Sequence, residues 1–279
     1  MLIPYRGHKG TDVYAAGMEA SAYDKAKLLR FVRAGVIAEL GCGSGAMLEL
    51  LRQKFPNSHV MGADLSEEMV RRCRERFPGM EIRRHDITVR LFDEKTVDTV
   101  ILCSVLHEVY SYNDYDLDPV RQVLRFSAEA LHPGGRLIVR DGLKPSREDN
   151  VYMTFLNPSV KEKFLRFTRE FGPGPVTWNW LGERAHLTRR DAMEFLSKYI
   201  YDANWKYEVM EVFGVFPLEG WVGAVERTGL RVIHRESYLI DWLRVNHYEK
   251  DVRLEVRRGQ RFVRTDYPHS TMILVAEKP

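Results

Sequence analysis

The sequence predicts an α/β fold built on parallel strands. Two observations carry that prediction. Short apolar runs alternate with segments of helical periodicity through the first half of the chain, the pattern of repeated βαβ units. One of those runs ends in Glu39-Leu40-Gly41-Cys42-Gly43-Ser44-Gly45 and leads straight into a helical segment. Glycines at this spacing let the backbone turn where a Cβ would clash, so that a ligand can lie directly on the peptide units. At a strand-to-helix turn, free N–H groups and the positive end of the helix dipole face that ligand.

The elements follow in order. Tyr23 to Val32 has helical periodicity and precedes a strand at Val36–Leu40. Ala46 to Phe55 reads as a helix ended by Pro56-Asn57, and His59–Asp64 as a short strand. Ser66 is placed to cap a helix whose first turn holds Glu67 and Glu68, where the dipole favours acids. That helix ends near Phe77, before Pro78-Gly79, and Met80–Arg83 is the third strand, with Asp86 just beyond it. Val97 to Ser104 is almost continuously apolar, as expected of a strand buried on both faces. Pro119 to Leu131 reads as a helix, His132-Pro133-Gly134-Gly135 as a turn, and Arg136–Val139 as the fifth strand.

The rhythm breaks after Asp141. Residues 144–216 contain the breaker Gly172-Pro173-Gly174-Pro175 and many aromatic residues, with a helical stretch from Thr188 to Tyr199. Such a segment is expected to be ordered, as a cap inserted between the fifth and sixth strands and packed over the strand ends. Regular order returns with a helix from Pro217 to Thr228, a strand at Leu230–Ile233 and a last strand at Thr271–Val275. Val252–Val256 and Phe262-Val263 flank Arg257-Arg258-Gly259-Gln260 as an extra hairpin. The expected organisation is therefore an N-terminal helical arm (1–34), a ligand-binding core (35–143), the inserted cap (144–216), and the rest of the core sheet with the hairpin (217–279).

Composition bounds the function. The chain has 279 residues, 44% of them hydrophobic, and a net charge of +3. Residues 1–150 hold 22 basic and 22 acidic side chains, so the excess lies in the second half. That balance does not announce a nucleic-acid protein. No run reaches the roughly 18–20 apolar residues of a membrane span, and Met1–Arg6 lacks the apolar core of a signal peptide, so a cytoplasmic location is expected. Cys42, Cys73 and Cys103 are too dispersed for a disulfide framework or a zinc site.

Four features in order make the chain resemble the class I SAM-dependent methyltransferases, a Rossmann-like family. They are Glu39-x-Gly41-x-Gly43-x-Gly45, Asp64 at the end of the second strand, Asp86 past the third, and Leu131-His132-Pro133-Gly134-Gly135-Arg136-Leu137 leading into the fifth. The resemblance covers residues 35–141 and returns at 217–238 and 271–278. It implies a seven-stranded, mostly parallel, doubly wound sheet with an antiparallel last strand, and S-adenosylmethionine (SAM) as cofactor. On that reading Glu39 orders the loop and offsets the ligand's positive charge, and Gly41, Gly43 and Gly45 let the backbone approach it. Asp64 accepts from both ribose hydroxyls, since one carboxylate has two acceptor oxygens. Leu65 packs on the adenine, Asp86 and the Ile87 N–H meet its edge, and Ser104 supplies backbone contacts to the amino-acid end.

The glycine loop by itself also fits the dinucleotide fingerprint G-x-G-x-x-A, with Asp64 near the place of a ribose-binding acid. The early third glycine at Gly45, the carboxylate of Glu39 ahead of the loop, and Asp86 favour SAM. For catalysis, His107 is the candidate general base, with Glu108 orienting it or acting alone; a purely structural role for either is equally consistent with the sequence. Asp141 is similarly placed. No metal site is expected, because His107-Glu108 and His132 lack ligand spacing. Tyr14 is a candidate to close over the cofactor, or an ordinary surface or core tyrosine.

The acceptor is less legible. Trp178, Trp180, Arg184, His186, Trp205 and Tyr207 suit a pocket for a planar small molecule, bases and phosphates, or the cap's own core. Arg253, Arg257, Arg258, Arg261 and Arg264 form a second basic cluster, which also serves to protect an edge strand. The expectation is a methyltransferase acting on a small-molecule acceptor, with no membrane partner. The alternatives are an RNA or tRNA methyltransferase, and a SAM-binding module without transferase activity.

Overall fold

The structure is a computed structural model that describes residues 22–279. Its strands are β1 (Val36–Leu40), β2 (His59–Asp64), β3 (Glu81–Arg84), β4 (Val97–Cys103), β5 (Leu131–Gly142), β6 (Asn150–Phe155), β7 (Trp178–Leu181), β8 (Arg184–Thr188), β9 (Arg231–Tyr238), β10 (Val252–Arg258), β11 (Arg261–Arg264) and β12 (Thr271–Glu277). The chain divides into two compact units. The first holds the described residues up to Asp141 with Glu219–Glu236 and Met272–Pro279, and the second Gly142–Leu218 with Ser237–Thr271.

The first unit is built on a seven-stranded sheet in the order β3-β2-β1-β4-β5-β12-β9. β1 pairs in parallel with β2 and β4, β2 with β3, and β4 with β5. The Gly134 N–H donates to the Lys278 carbonyl at 2.7 Å, and the Lys278 N–H to the Gly135 carbonyl at 2.9 Å. The far end of β12 therefore meets the start of β5, which makes that pair antiparallel. Helices are cut where local chemistry cuts them. Ser66 accepts from the Met69 N–H and opens the helix Glu67–Arg76, with Arg74 and Arg76 in its last turn. Asp116 caps Leu117–Ala130, whose buried Val120, Val123, Leu124, Ser127 and Ala128 recur at the spacing of one helical face. His132–Gly135, expected as a free turn, is instead an irregularity inside β5. The register with β4 shifts there, and Gly134 adopts φ +77.

The described residues of the N-terminal segment form a helical turn at Ala22–Lys25 and a 3-10 stretch at Ala26–Phe31. Tyr14 lies outside the described residues.

The second unit has a five-stranded sheet of its own, β11-β10-β6-β8-β7, with antiparallel pairs throughout. Alternate residues of its central strands (Val151 and Met153, Ala185 and Leu187, Val252 and Leu254) point into a core shared with Phe164 and Phe167 of the helix Pro158–Glu170 and Phe195 and Leu196 of the helix Arg189–Lys198. The hairpin read from the sequence is β10–β11, and it joins this sheet. Its partner β6 lies about 100 residues earlier in the chain, with Val252 opposite Phe155.

One charged pair sits within this unit. Lys198 and Glu194 are both fully buried and bonded to each other. Glu194 also accepts from the Gly214 N–H at 2.8 Å and the Phe213 N–H at 3.1 Å, and the Lys198 ammonium lies 4.2 Å from the centre of the Phe213 ring. Lys198→Met strands a buried carboxylate, so it is expected to cost about 3–5 kcal/mol of stability in a urea titration. A loss below about 1 kcal/mol would mean that the pair contributes little.

Among the described residues no helix is long and apolar enough to cross a membrane.

Candidate functional site

Because β3, β2, β1, β4 and β5 run parallel, their C-terminal ends lie along one edge of the first sheet. The order reverses direction between β1 and β4, and such a switch point opens a crevice above the strand ends. The glycine turn leaves β1 at that point. Gly41, Gly43 and Gly45 have φ of +78, +50 and +85, values that L-residues with a side chain rarely adopt. A Cβ on Gly41 would sit 2.4 Å from Val105 Cγ2, and one on Gly45 2.4 Å from Phe77 Cε2. The turn is thus packed against the exit of β4 and against the helix Glu67–Arg76.

The turn is tied to β2. The Gly41 and Cys42 N–H groups donate to the Ala63 carbonyl at 2.8 and 3.0 Å. The Gly43 N–H donates to Asp64 Oδ2 at 2.7 Å, and the Ser66 N–H to Asp64 Oδ1 at 2.9 Å. Asp64 therefore fixes both the turn and the start of the next helix. Leu65 is 39% exposed beside it. From the loop after β3, the His85 N–H reaches the Asp64 carbonyl at 3.0 Å. Asp86 Oδ1 accepts from the Thr88 N–H at 2.9 Å and its hydroxyl at 2.7 Å, while Ile87 is buried. The Cys73 thiol donates to the Gly43 carbonyl at 3.0 Å. A hydrogen bond with Cys73, together with burial, pushes the Cys42 thiol well above its ordinary range.

Glu39 is the electrostatic anomaly. It is 3% exposed at the end of β1, and its Oε2 has no hydrogen-bond partner among the described residues. Burial pushes its carboxyl up to about 8; Asp64 adds to the rise and Lys25 opposes it. The Ser44 hydroxyl, in the turn itself, is likewise buried and unpartnered.

Ser104 leaves β4 at φ +58, an uncommon conformation for a residue with a side chain. Its N–H donates to the Arg140 carbonyl at 2.7 Å, and its hydroxyl accepts from the Arg140 guanidinium at 2.7 Å. Arg140 also donates to Asp24 at 2.9 Å, and both are buried. Next along β5, Asp141 Oδ1 lies 2.6 Å from His107 Nδ1, and Asp141 Oδ2 accepts from the Leu106 N–H at 2.8 Å. Asp141 thereby caps the short helix Leu106–Ser111 and holds the imidazole. A carboxylate only accepts, so Nδ1 carries a proton. Glu108 is half-buried one residue further on.

The structure thus brings Glu39, the three glycines, Asp64, Asp86 and Ser104 to one edge of one sheet, with the His107–Asp141 pair at the neighbouring strand ends. Sequence reasoning missed Asp24, Lys25 and Arg140. Arg140 had a signal, as a charge closing the apolar run Leu137–Val139. Asp24 and Lys25 had none.

The order of the sheet, reversing between β1 and β4, defines a doubly wound α/β domain. Comparison with known proteins narrows this. Residues 38–137 match the family described as a methyltransferase domain. A trans-aconitate 2-methyltransferase of Variovorax paradoxus is 31% identical over 104 residues, 37% of each chain. One from Rhodopseudomonas palustris is 47% identical over 47 residues, 17% of this chain and 18% of that one. The chain thus matches little more than a third, at most, of the length of these curated relatives. Among solved structures, an S-adenosylmethionine-dependent methyltransferase from Mesorhizobium loti superposes with a TM-score of 0.57 at 20% identity, covering 93% of this chain and 98% of that one. A methyltransferase solved in complex with the Haloferax volcanii activator Trm112 gives 0.55 at 19% identity, covering 96% and 95%. Residues 38–137 are thus similar to a methyltransferase domain, and the fold around them is that of the solved methyltransferases.

Proposed function

We propose that the chain binds SAM at the C-terminal edge of β1–β4 and transfers its methyl group to a small-molecule acceptor. One observation carries the reading. A buried carboxylate with an unpartnered oxygen, Glu39, stands beside a positive-φ glycine turn with no Cβ to fill it, and two further carboxylates lie at adjacent strand ends. A dinucleotide lays its anionic pyrophosphate on such a turn, where a buried carboxylate repels it, whereas SAM brings an ammonium and a sulfonium.

On this reading Glu39 offsets that charge, and the glycine turn lets the methionyl and ribose portion lie on the backbone. The two carboxylate oxygens of Asp64 accept from the ribose hydroxyls. Leu65 covers the adenine, and Asp86 and the Ile87 N–H meet its edge. Ser104, held by Arg140, presents backbone to the amino-acid end. When bound, SAM supplies an activated methyl group, so the protein's task is to position the acceptor and take up its proton. His107 Nε2 is the base for that step, and Asp141 fixes its tautomer and ring; Glu108 is a second candidate. The name of the trans-aconitate 2-methyltransferases supports a small molecule as the acceptor class.

Calorimetric titration with S-adenosylhomocysteine, and with NAD in parallel, tests the cofactor. The homocysteine nucleoside is expected to bind and NAD to fail. Asp64→Ala is expected to weaken binding by about tenfold or more, since a hydrogen bond to a charged group contributes about 1.5–3 kcal/mol. Binding of NAD alone would refute the assignment. Labelled-methyl transfer into fractionated small molecules and RNA then identifies the acceptor.

A further inference from the structure

The hairpin β10–β11 concentrates the positive charge of the whole molecule. Residues 252–264 hold five arginines against the single acid Glu255, a net of +4, while the chain as a whole carries +3. Everything outside the hairpin is therefore net negative by one charge. Strand alternation sorts these arginines. Val252, Leu254 and Val256 point into or against the core of the second unit, so Arg253, Glu255 and Arg257 lie on the opposite face of the sheet. Register places Arg264 opposite Glu255 and Phe262 opposite Arg257, on that same outer face. Tyr152 of β6 is paired with Glu255, and His186 of β8 with Tyr152, which extends the face across four strands.

The face combines cations and rings. The Arg184 guanidinium lies 4.4 Å from the centre of the Phe262 ring, Phe262 meets Tyr152 edge-on at 4.8 Å, and Tyr152 stacks on His186 at 4.6 Å with 13° between planes. Glu255 is buried and engaged by Arg184 at 2.9 Å. Arg253, at 3.9 Å from it, remains exposed. Among the described residues, Arg257, Arg258, Arg261 and Arg264 are exposed and have no carboxylate partner. Same-face positions step about 7 Å along a strand and about 5 Å across to the next. Arg253, Arg264 and Arg257 thus form a row of charges, suited to a flexible chain of anions and not to one small anion.

We infer that this outer face of the second sheet is a docking surface for single-stranded RNA, with the arginine row neutralising phosphates and the half-buried His186 and Phe262 beside it for bases to rest against. A lipid surface is the weaker match, because Phe262 is covered by Arg184 and projects no apolar anchor. An acidic peptide uses the charge but not the rings. The inference concerns the second unit alone and does not rest on the cofactor assignment.

The test is fluorescence anisotropy of a labelled 12-nucleotide oligouridylate titrated with the full chain. Saturable binding is expected at about 50 mM salt, with a log–log salt slope of about −2 to −3, as for three or four neutralised phosphates in a single strand. Arg257→Glu with Arg264→Glu is expected to weaken binding by at least about tenfold at an unchanged melting temperature. Arg257→Lys with Arg264→Lys is expected to keep most of it. S-adenosylhomocysteine binding is read on the same samples, so that a failure at the cofactor site is seen separately. Absence of saturable binding, wild-type affinity in the charge-reversed protein, equal binding to a duplex of the same length, or displacement of the RNA by equimolar polyglutamate or anionic phosphatidylserine vesicles would each overturn the inference.

Discussion

Replacing His107 by alanine is expected to lower kcat for methyl transfer by about 10²–10⁴-fold, the usual contribution of a positioned general base. The imidazole sits where β4 ends, with Nδ1 2.6 Å from an Asp141 oxygen, and both side chains are buried. Asp141→Asn reverses that contact, since the amide can donate to Nδ1 and favour the tautomer with the proton on Nε2, which is useless for accepting one. It is expected to lower kcat nearly as far while KM for the acceptor changes little. Asp141 also caps Leu106–Ser111, so a melting curve accompanies the kinetics and separates loss of fold from loss of chemistry. If the acidic limb of the kcat/KM profile survives in His107→Ala, or kcat falls less than threefold, the imidazole is a structural residue.

Affinity for SAM is expected to rise with pH and level off near 8. Burial holds the Glu39 carboxyl at about 8 in the free protein. A cation bound beside it favours the ionised form and lowers that value in the complex. Below 8, binding must then expel the proton, so affinity climbs about tenfold per pH unit from the bound-state value up to 8. Lys25 and Asp64 are the other charged groups felt at this carboxyl, and they act in opposite directions. Glu39→Gln is expected to flatten the slope. Calorimetry in two buffers of different ionisation enthalpy checks it directly, because the wild type releases up to one proton per ligand at pH 6.5 and the variant none. Folding shows the linked effect. An acid whose folded value lies above its unfolded 4.5 keeps its proton in the native state. Its contribution to stability is complete below 4.5 and is lost as pH rises toward 8. A flat pH dependence of affinity in the wild type would show that no cation meets Glu39.

Much of the first sheet was legible because its signals are local. Parallel strands buried on both faces read as apolar runs, and His59–Asp64 and Val36–Leu40 fall at the expected bounds. Ser66 announces its helix through one hydroxyl. The glycine turn is legible for the same reason: backbone conformation at Gly41, Gly43 and Gly45 is a property of those residues. The second sheet was not legible. β7 and β8 are short, and β6 pairs with β10 across about 100 residues of chain. Nothing in Asn150–Phe155 says that its partner is a hairpin so far downstream. Asp24 and Arg140, 116 residues apart, illustrate the same limit at the candidate site. Either could be any surface charge until the fold buries both and leaves each as the other's counterion. His132–Gly135 carries turn residues and still sits in a strand, because a bulge uses the same left-handed glycine as a turn does.

The order of the seven-stranded sheet bears on how the protein is made. β12 lies between β5 and β9, yet the ribosome delivers it after both. Until Thr271–Glu277 leaves the exit tunnel, β5 is an open edge and β9 has no neighbour on its inner side. A nascent chain paused before that point exposes Leu137–Val139 along an unpaired flank, which is where a chaperone would be recruited and where a truncated product would aggregate.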